Sequence, residues 1–267
     1  MRGACGDAGR LGVAFSGGVD SSVVLALGAL ALGADRVLAL VGVSPSLAAR
    51  ELEAARGVAA AVGVEVLEVP TEEGDSPAYR ANGPDRCFHC KDELFTRIDE
   101  RVVAAQGLAA VAHGENADDL LRRDRPGARA ALEHGVLRPL ADAGMGKTDV
   151  RRVARLLRLP SADKPAAPCL ASRIPHGTEV TPERLGQVER AEAALHDLGL
   201  REVRVRHHGD VARLELGTEL LAALVEEPRR AEVVAAVRAA GFRFVTVDLS
   251  GLQSGAFTLP LVEVRGG

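Results

Sequence analysis

The first 160 residues alternate short apolar runs with longer segments of helical period. Runs rich in Val and Leu predict buried parallel strands, and apolar residues spaced three or four positions apart predict helices. We expect strands over Leu11–Phe15, Val37–Val43, Val64–Val69, Leu108–His113 and Val136–Leu140. We expect helices over Ser21–Leu32, Leu47–Val62, Lys91–Gln106, Pro126–His134 and Lys147–Leu157. This alternation predicts an α/β fold, a parallel sheet with helices on both faces.

The rest of the chain has a different pattern. The stretch LPSADKPAAPCLASRIPHGTEVTP holds five prolines and no periodicity, which predicts a linker or a site-forming loop. After it we expect a helix, a hairpin, a second helix and a strand over Pro182–Leu198, Glu202–Leu216, Arg229–Ala240 and Phe242–Leu249. We therefore divide the chain into an α/β domain of residues 1–160, a Pro-rich loop of 161–181 and a small C-terminal α+β domain of 182–267.

Composition and charge exclude several classes of protein. With 267 residues, 47% of them hydrophobic, the chain can bury a real core, which excludes intrinsic disorder as its main state. Because 33 Lys+Arg stand against 37 Asp+Glu, no surplus of positive charge favours nucleic-acid binding. The sequence shows no apolar run of about 18 residues and has a polar, Gly-rich start, so we expect a cytoplasmic protein without a membrane partner.

The segment SGGVDSS follows the first predicted strand and opens the first helix. Glycines here let backbone N–H groups converge on an anion, the helix start adds positive charge, and the serines supply hydroxyl donors. The segment thus predicts a phosphate cradle made of Ser16, Gly17, Gly18, Val19, Asp20, Ser21 and Ser22. No Lys-Ser or Lys-Thr follows the glycines, so transfer of a γ-phosphate is not favoured. The alternative is a tight strand-to-helix turn with a Ser or Asp cap.

SGGVDSS resembles the PP-loop of the ATP pyrophosphatase superfamily. That resemblance implies ATP and Mg²⁺ as cofactors, cleavage between the α and β phosphates, and AMP and pyrophosphate as products. Three further segments, Gly114–Gly127, Pro168–Leu185 and Val203–Leu216, look like the LarE family in the family's order. The resemblance implies a small-molecule substrate, pyridinium-3,5-biscarboxylic acid mononucleotide, whose carboxylates are adenylated and converted to thiocarboxylates in nickel-pincer cofactor synthesis. Self-association is expected on the same basis.

Cys169 matches the sulfur-bearing cysteine of that family. A thiol with an ordinary pKa is mostly protonated at neutral pH, so we expect Ser172 and Arg173 to favour the thiolate that attacks an acyl-adenylate. The alternative is a small buried residue in a loop.

Cys87 and Cys90 form a C-x-x-C pair at the expected start of a helix, which places both sulfurs on one side. With Cys169 as a third ligand, the pair can hold a four-iron four-sulfur (4Fe-4S) cluster that leaves one iron open. Two other interpretations stay open. The pair can be a dithiol that resolves a persulfide, or part of a zinc site completed by His89 and His113.

Polar side chains at the ends or on the faces of predicted strands suggest further ligand contacts. Alternation with valines puts Arg204 and Arg206 on one strand face, where they can clamp a phosphate or simply face solvent. Arg213, on the return strand, is a possible third member.

Three more candidates follow predicted strands of the α/β domain. Asn116 and Asp118 follow a strand, where Mg²⁺ or ribose contact competes with helix capping. Ser44 follows the second strand, and its position favours a place beside the adenosine.

Three functions compete on this sequence. The first is the nucleotide sulfur transferase. The second is a tRNA thiolase, which shares the PP-loop but whose expected basic surface is missing. The third is a non-catalytic module that senses ATP or AMP, which leaves Cys169 and the C-x-x-C pair unexplained.

Overall fold

The computed structural model describes residues 1–121 and 126–253, which form two compact units. The first unit consists of Met1–Ser76 and Asp85–Ala167. The second consists of Pro77–Pro84 and the described residues from Pro168 onward. Residues 122–125, in the segment that resembles the LarE family, and 254–267, at the end of the expected C-terminal domain, lie outside the described residues.

The first unit is built on a parallel sheet. Its strands are β1 (Arg10–Ala14), β2 (Val37–Val43), β3 (Glu65–Pro70) and β4 (Leu108–His113). The strand order is β3-β2-β1-β4, and every pair is parallel. All four carboxyl ends therefore meet at one edge, with β1 between β2 and β4. This edge is where open α/β sheets bind ligands.

Helices cover both faces of this sheet, as the sequence predicts. They span Arg2–Cys5, Val19–Leu32, Ala49–Val62, Arg86–Arg97, Ala104–Gln106, Ala117–Leu120, Pro126–Glu133, Pro139–Asp142 and Lys147–Leu156, with 3₁₀ turns at Ala34–Arg36 and Glu73–Asp75 and a π-helical segment at Ile98–Val103. Val19–Leu32 is mostly apolar, so it packs deep in the unit, with Val23, Val24 and Leu25 at 0% exposure. Burial of this helix holds the segment before it, Ser16–Gly18, against the sheet edge.

Two predicted elements of the first unit were wrong in detail. In place of a fifth strand over Val136–Leu140, Leu137 alone pairs with Ala112 through an isolated parallel bridge. Pro139 has no N–H to donate to a neighbouring strand and begins a short helix instead.

The helix expected over Lys91–Gln106 begins earlier, at Arg86, and passes through the π-helical segment before it ends. The earlier start puts both cysteines of the C-x-x-C pair in its first turns.

The second unit has its own small sheet. Strands β5 (Val203–His208) and β6 (Val211–Leu216) form the predicted antiparallel hairpin, and β7 (Phe244–Val247) lies parallel to β6. Its helices span Pro77–Arg80, Pro182–Asp197, Leu221–Val225 and Arg229–Ala239, with 3₁₀ turns at Leu170–Arg173 and Thr218–Leu220. The expected small C-terminal α+β fold is confirmed. No described helix is long and apolar enough to cross a membrane.

A short insertion from the first half of the sequence belongs to the second unit. Asn82, fully buried, donates through Nδ2 to the carbonyl oxygens of Pro175 at 2.8 Å and Thr178 at 2.9 Å. Its own carbonyl accepts from Gly177 N at 3.2 Å. The Pro-rich segment after Cys169 is therefore held by residues 77–84, which the sequence pattern groups with the α/β domain.

Candidate functional site

The SGGVDSS segment leaves β1 at the carboxyl edge of the sheet and turns into the helix that begins at Val19. Gly17 has φ +66°, in the left-handed region, and a Cβ there would lie 2.8 Å from Ala55 Cα. Both observations require glycine. The glycine lets the loop rest directly on helix Ala49–Val62. The Gly18 N–H lies on the exposed side at the start of helix Val19–Leu32, where an anion can bind.

Hydroxyl groups hold the turn from inside. Ser21 Oγ and Ser22 Oγ donate to Gly18 O at 3.1 and 2.8 Å. Ser22 is fully buried, whereas Ser16 is exposed. The hydroxyls of Ser21 and Ser22 thus shape the loop, and the side with Ser16 and the Gly18 N–H is left to face a ligand.

Three segments distant in sequence meet at Asp20. Asn116 Nδ2 donates to Asp20 Oδ1 at 3.1 Å, and Lys147 Nζ forms an ion pair with the other carboxylate oxygen. The backbone N–H of Lys147 donates to Asp118 Oδ2 at 2.7 Å. The structure thus brings together Asp20, Asn116 and Asp118, which the sequence analysis singled out separately. Asn116 also caps helix Ala117–Leu120, so capping and a ligand role are compatible.

Lys147 was missed by the sequence reasoning as a site residue. A signal was present, because a lysine in the first turn of a helix opposes the helix dipole and is favoured there only when an anion lies nearby. In this structure that anion is Asp20.

Gly114, which follows β4, must be glycine because it packs closely against this site. A Cβ at this position would lie 2.5 Å from Ser21 N and 2.8 Å from the carbonyl carbon of Asp20. The segment Gly114–Asn116 can therefore approach the phosphate loop only because residue 114 is glycine.

Ser44 follows β2 at the same edge. Its Oγ donates to Glu73 Oε1, and Glu73 is 2% exposed. The hydroxyl is thus engaged with a buried carboxylate beyond β3, and its predicted place beside an adenosine stays a prediction.

Cys169 lies in the second unit with its side chain exposed, directly before the 3₁₀ turn Leu170–Arg173. Arg173 donates to Pro168 O at 2.7 Å and to Ser172 Oγ at 2.9 Å, and it binds both carboxylate oxygens of Glu192 at 2.8 and 3.1 Å. A guanidinium held in this bidentate way is fixed in direction. Arg173 therefore positions the backbone around Cys169, and Glu192 offsets its charge.

Arg204 and Arg206 do not lie on a solvated strand face, so that interpretation was wrong. They are 8% and 2% exposed, because both faces of β5 are covered. Arg206 donates to Glu215 Oε2 at 2.7 Å and to Ser172 O at 2.9 Å. Arg204 donates to Gln253 O at 2.6 Å. Both side chains thus belong to the packed interior behind the Cys169 loop.

Several guanidiniums lie close together in this interior. Arg173 pairs with Glu192 and Arg206 with Glu215, while Arg213 contacts Glu215 and Asp248. Arg204 adds a fourth guanidinium close to Arg173 and Arg206. Burial, then the nearby charges of Arg173 and Arg206, lower the pKa of Arg204 from its ordinary value. An anion bound here would relieve that repulsion.

The C-x-x-C pair lies in the first turns of helix Arg86–Arg97, with Cys87 exposed and Cys90 half-buried. Arg86 Nη2 is 4.0 Å from Cys87 Sγ. Over residues 1–121 and 126–253, no three His, Cys, Asp or Glu side chains are grouped closely enough to hold a metal ion. His89 instead lies 3.2 Å from Asp85, and His113 lies 3.8 Å from Glu115.

A parallel sheet with this loop after its central strand defines the class of PP-loop proteins, ATP-dependent α/β enzymes. In keeping with this, the NAD synthase family matches residues 7–96. An uncharacterized protein of Synechocystis is 43% identical over 97% of this chain and 95% of its own length. The pyridinium-3,5-bisthiocarboxylic acid mononucleotide synthase of Lactiplantibacillus plantarum is 36% identical over 97% of this chain and 92% of its own length. The chain belongs to the LarE family of this class.

Proposed function

We propose that this protein is an ATP-dependent sulfur transferase that adenylates the carboxylates of pyridinium-3,5-biscarboxylic acid mononucleotide and converts them to thiocarboxylates. The observation that carries the proposal is the exposed Cys169 on a loop fixed by Arg173 and Glu192, in a chain that also holds a PP-loop. The similarity to the L. plantarum synthase along nearly the whole chain supports the same substrate.

In the first step the substrate carboxylate is activated. A carboxylate oxygen attacks the α-phosphorus of ATP, and pyrophosphate leaves with the bonding electron pair. The N–H groups of the PP-loop and the ammonium of Lys147 suit the pyrophosphate, since they are donors and a cation at a helix start. The carboxylates of Asp20 and Asp118 are the hard oxygen ligands that Mg²⁺ prefers. Mg²⁺ supplies charge neutralisation on the phosphate oxygens.

In the second step sulfur is delivered. When Cys169 itself is the donor, its thiolate attacks the carbonyl carbon of the acyl-adenylate, and AMP leaves with the electron pair of the broken C–O bond. Release of a thiocarboxylate from the resulting thioester requires cleavage of the Cβ–Sγ bond, which consumes the cysteine. Repeated turnover therefore needs another carrier of sulfur.

We propose that Cys87, Cys90 and Cys169 are ligands of a 4Fe-4S cluster. The fit rests on two thiol side chains one helical turn apart, one of them exposed and close to a guanidinium. Held by three cysteines, such a cluster supplies an open iron that can carry transferable sulfide.

The mononucleotide phosphate is the anion that suits the guanidiniums gathered around Arg204. In this proposal Arg204 and Arg206 bind the phosphate, and Arg173 positions the backbone around Cys169. Self-association stays a prediction.

The test is a reaction of anaerobically purified protein with ATP, Mg²⁺ and the dicarboxylate mononucleotide. We expect substrate-dependent pyrophosphate and AMP, and a product whose mass shows exchange of carboxylate oxygen for sulfur. ADP and phosphate as products would contradict the adenylation step.

Iron and sulfide analysis tests the cluster separately, with about four irons per chain expected. Iron-free protein that turns over repeatedly with a persulfide donor would favour the dithiol interpretation. A single turnover with loss of the Cys169 sulfur would show that the cysteine is consumed.

A further inference from the structure

Lysine is rare in this protein. The chain has only three lysines, Lys91, Lys147 and Lys164, against thirty arginines. Lys147 contacts Asp20 of the PP-loop, and Lys164 contacts the opposite end of the same loop, at Gly17. An ammonium is a compact charge on a flexible stem, whereas a guanidinium is a larger planar group. Two of the three lysines thus flank one loop.

The backbone at Lys164 is fixed by contacts that do not involve the Lys164 side chain. Arg151, on helix Lys147–Leu156, donates from its guanidinium to Ala162 O at 2.9 Å and to Lys164 O at 3.3 Å. Lys164 N donates to Ser161 O at 3.1 Å. This part of the Pro-rich segment is therefore ordered against the first unit, and the Lys164 side chain extends from an anchored position.

The Lys164 side chain is held in turn by helix Ala49–Val62. Its Nζ lies 2.7 Å from Glu51 Oε2, and the two side chains are 19% and 22% exposed. Glu51 lies one turn before Ala55, the residue against which Gly17 packs. The same helix face thus supports the loop through Ala55 and directs the ammonium toward it through Glu51.

The ammonium lies against the carbonyl of Gly17, with Nζ 3.5 Å from the oxygen. In a trans peptide the C=O of one residue and the N–H of the next point in opposite directions. With the Gly17 oxygen on the partly buried side, beside Lys164, the Gly18 N–H points to the exposed side. There it makes only a long contact with Ser16 Oγ, at 3.4 Å.

We infer that Lys164 is a positioning residue that sets the direction of the Gly17–Gly18 peptide, so that the Gly18 N–H is presented to the pyrophosphate of ATP. Because Gly17 adopts a positive φ without a Cβ, the peptide has freedom to rotate that other residues lack. The ammonium and the packing on Ala55 remove that freedom before the nucleotide binds. This inference rests on ATP binding at the PP-loop in the proposed function.

The test compares Lys164→Met with wild-type protein by calorimetric titration with inorganic pyrophosphate in Mg²⁺, and separately with AMP. We expect pyrophosphate to bind about tenfold more weakly, the effect of one misdirected hydrogen bond, with AMP affinity unchanged. Arg155→Met is the matched control, because it removes an exposed cation that pairs with Asp163, next to Lys164, without a contact to the loop. The control should bind pyrophosphate like the wild type.

A second measurement separates positioning from direct charge attraction. The amide resonance of Gly18 in the ligand-free protein should shift in Lys164→Met and stay in place in Arg155→Met. An unchanged Gly18 resonance, or equal pyrophosphate affinity in Lys164→Met and wild type, would overturn the inference. If wild-type protein itself failed to bind pyrophosphate, the proposed function would be at fault instead.

Discussion

The phosphate loop of the first unit and the arginine cluster of the second hold their charges in opposite ways. The arginine cluster consists of Arg173, Arg204, Arg206 and Arg213. At the loop, the Asp20 and Lys147 side chains are 22% and 42% exposed, and their contacts are ones that a nucleotide and Mg²⁺ can replace. In the cluster, Arg206 and Glu215 are 3% and 0% exposed and locked to each other. Charges that must exchange partners during a reaction need access to solvent, whereas buried pairs mainly hold a structure. The difference predicts that a substitution at the loop costs activity, whereas one at the Arg206–Glu215 pair also costs stability.

The sulfur-bearing residue should give the largest effect. Replacing Cys169 by Ala should lower thiocarboxylate formation on the order of 10³-fold or more, because it removes either the proposed attacking sulfur or a ligand of the proposed cluster. The fold should survive, since the side chain is exposed. Mass spectrometry of the product checks this. Cys5→Ala, a change at a buried cysteine of the first unit, is the control and should leave the product unchanged. Product from Cys169→Ala would remove Cys169 from the chemistry.

Asp20 tests whether the charged contacts of the PP-loop serve activity rather than stability. Asp20→Ala should lower substrate-dependent pyrophosphate release about 10²-fold, because it removes the acceptor for Asn116 and Lys147 and a proposed Mg²⁺ ligand. The melting temperature should change little. Asp142→Ala, which removes an exposed carboxylate paired with Arg138, serves as control. A large loss of stability in Asp20→Ala would show that the loop is as locked as the arginine cluster.

In the arginine cluster, substitutions of the neighbouring Arg204 and Arg206 should differ in their cost to stability. Arg206→Met should lower the free energy of unfolding by about 3 kcal/mol, because it leaves the buried Glu215 carboxylate without its main partner. Arg204→Met removes a charge from beside Arg173 and Arg206, so its cost to stability should stay below about 1.5 kcal/mol.

For binding of the mononucleotide, Arg204 is the informative residue of the two. Arg204→Met should weaken binding of the mononucleotide by about 1.5–3 kcal/mol and spare ATP. Chemical denaturation and calorimetry separate the two effects. Equal losses of stability in both variants would contradict the asymmetry, and unchanged mononucleotide binding in Arg204→Met would remove it from the phosphate site.

The smallest predicted effect concerns His134 in the first unit, a histidine that is held between two aspartates and changes its protonation state with pH. His134 lies 2.7 Å from Asp99 and 3.0 Å from Asp92. Burial lowers its pKa, but the hydrogen bonds with Asp99 and Asp92 outweigh burial, so the pKa is raised above 6.5. Its stabilisation is therefore complete below pH about 6.5, the unfolded value, and is lost as the pH rises through the higher folded pKa.

Unfolding of His134→Gln measures this contribution. The variant should be less stable than wild type by about 1 kcal/mol at pH below 6.5, and the difference should shrink at higher pH. Asp99→Asn should weaken the same pH dependence. A difference that does not change with pH would show that His134 contributes by packing alone.

Much of the first unit could be predicted because its signals are local. The runs that became β1, β2 and β4 are apolar on both faces, as buried parallel strands require, and SGGVDSS contains its own turn and helix start. The hairpin of β5 and β6 followed from alternation around Gly209. Failures came where one residue overrode a pattern, as Pro139 did in the expected fifth strand.

The site residues divide in the same way. The serines and glycines of the loop, Asn116 and Cys169 stand in recognisable local strings. Lys147 and Glu192 do not, because their roles depend on partners far along the chain, Asp20 in the first case and Arg173 in the second. The insertion of Asn82 beneath the Pro-rich segment is of the same kind.

By itself the sequence determined the parallel sheet, the phosphate loop and the presence of a cysteine in a Pro-rich segment, since each depends on periodicity or on residues within a few positions of one another. Only the tertiary structure decided which arginines are buried, which carboxylates they pair with, and that Lys147 and Lys164 flank the loop. Those outcomes depend on burial and charge pairing between segments as far apart as Asp20 and Lys147, which are 127 positions apart. Hydrophobic periodicity carries no information about such pairs, because it records only which face of an element is buried.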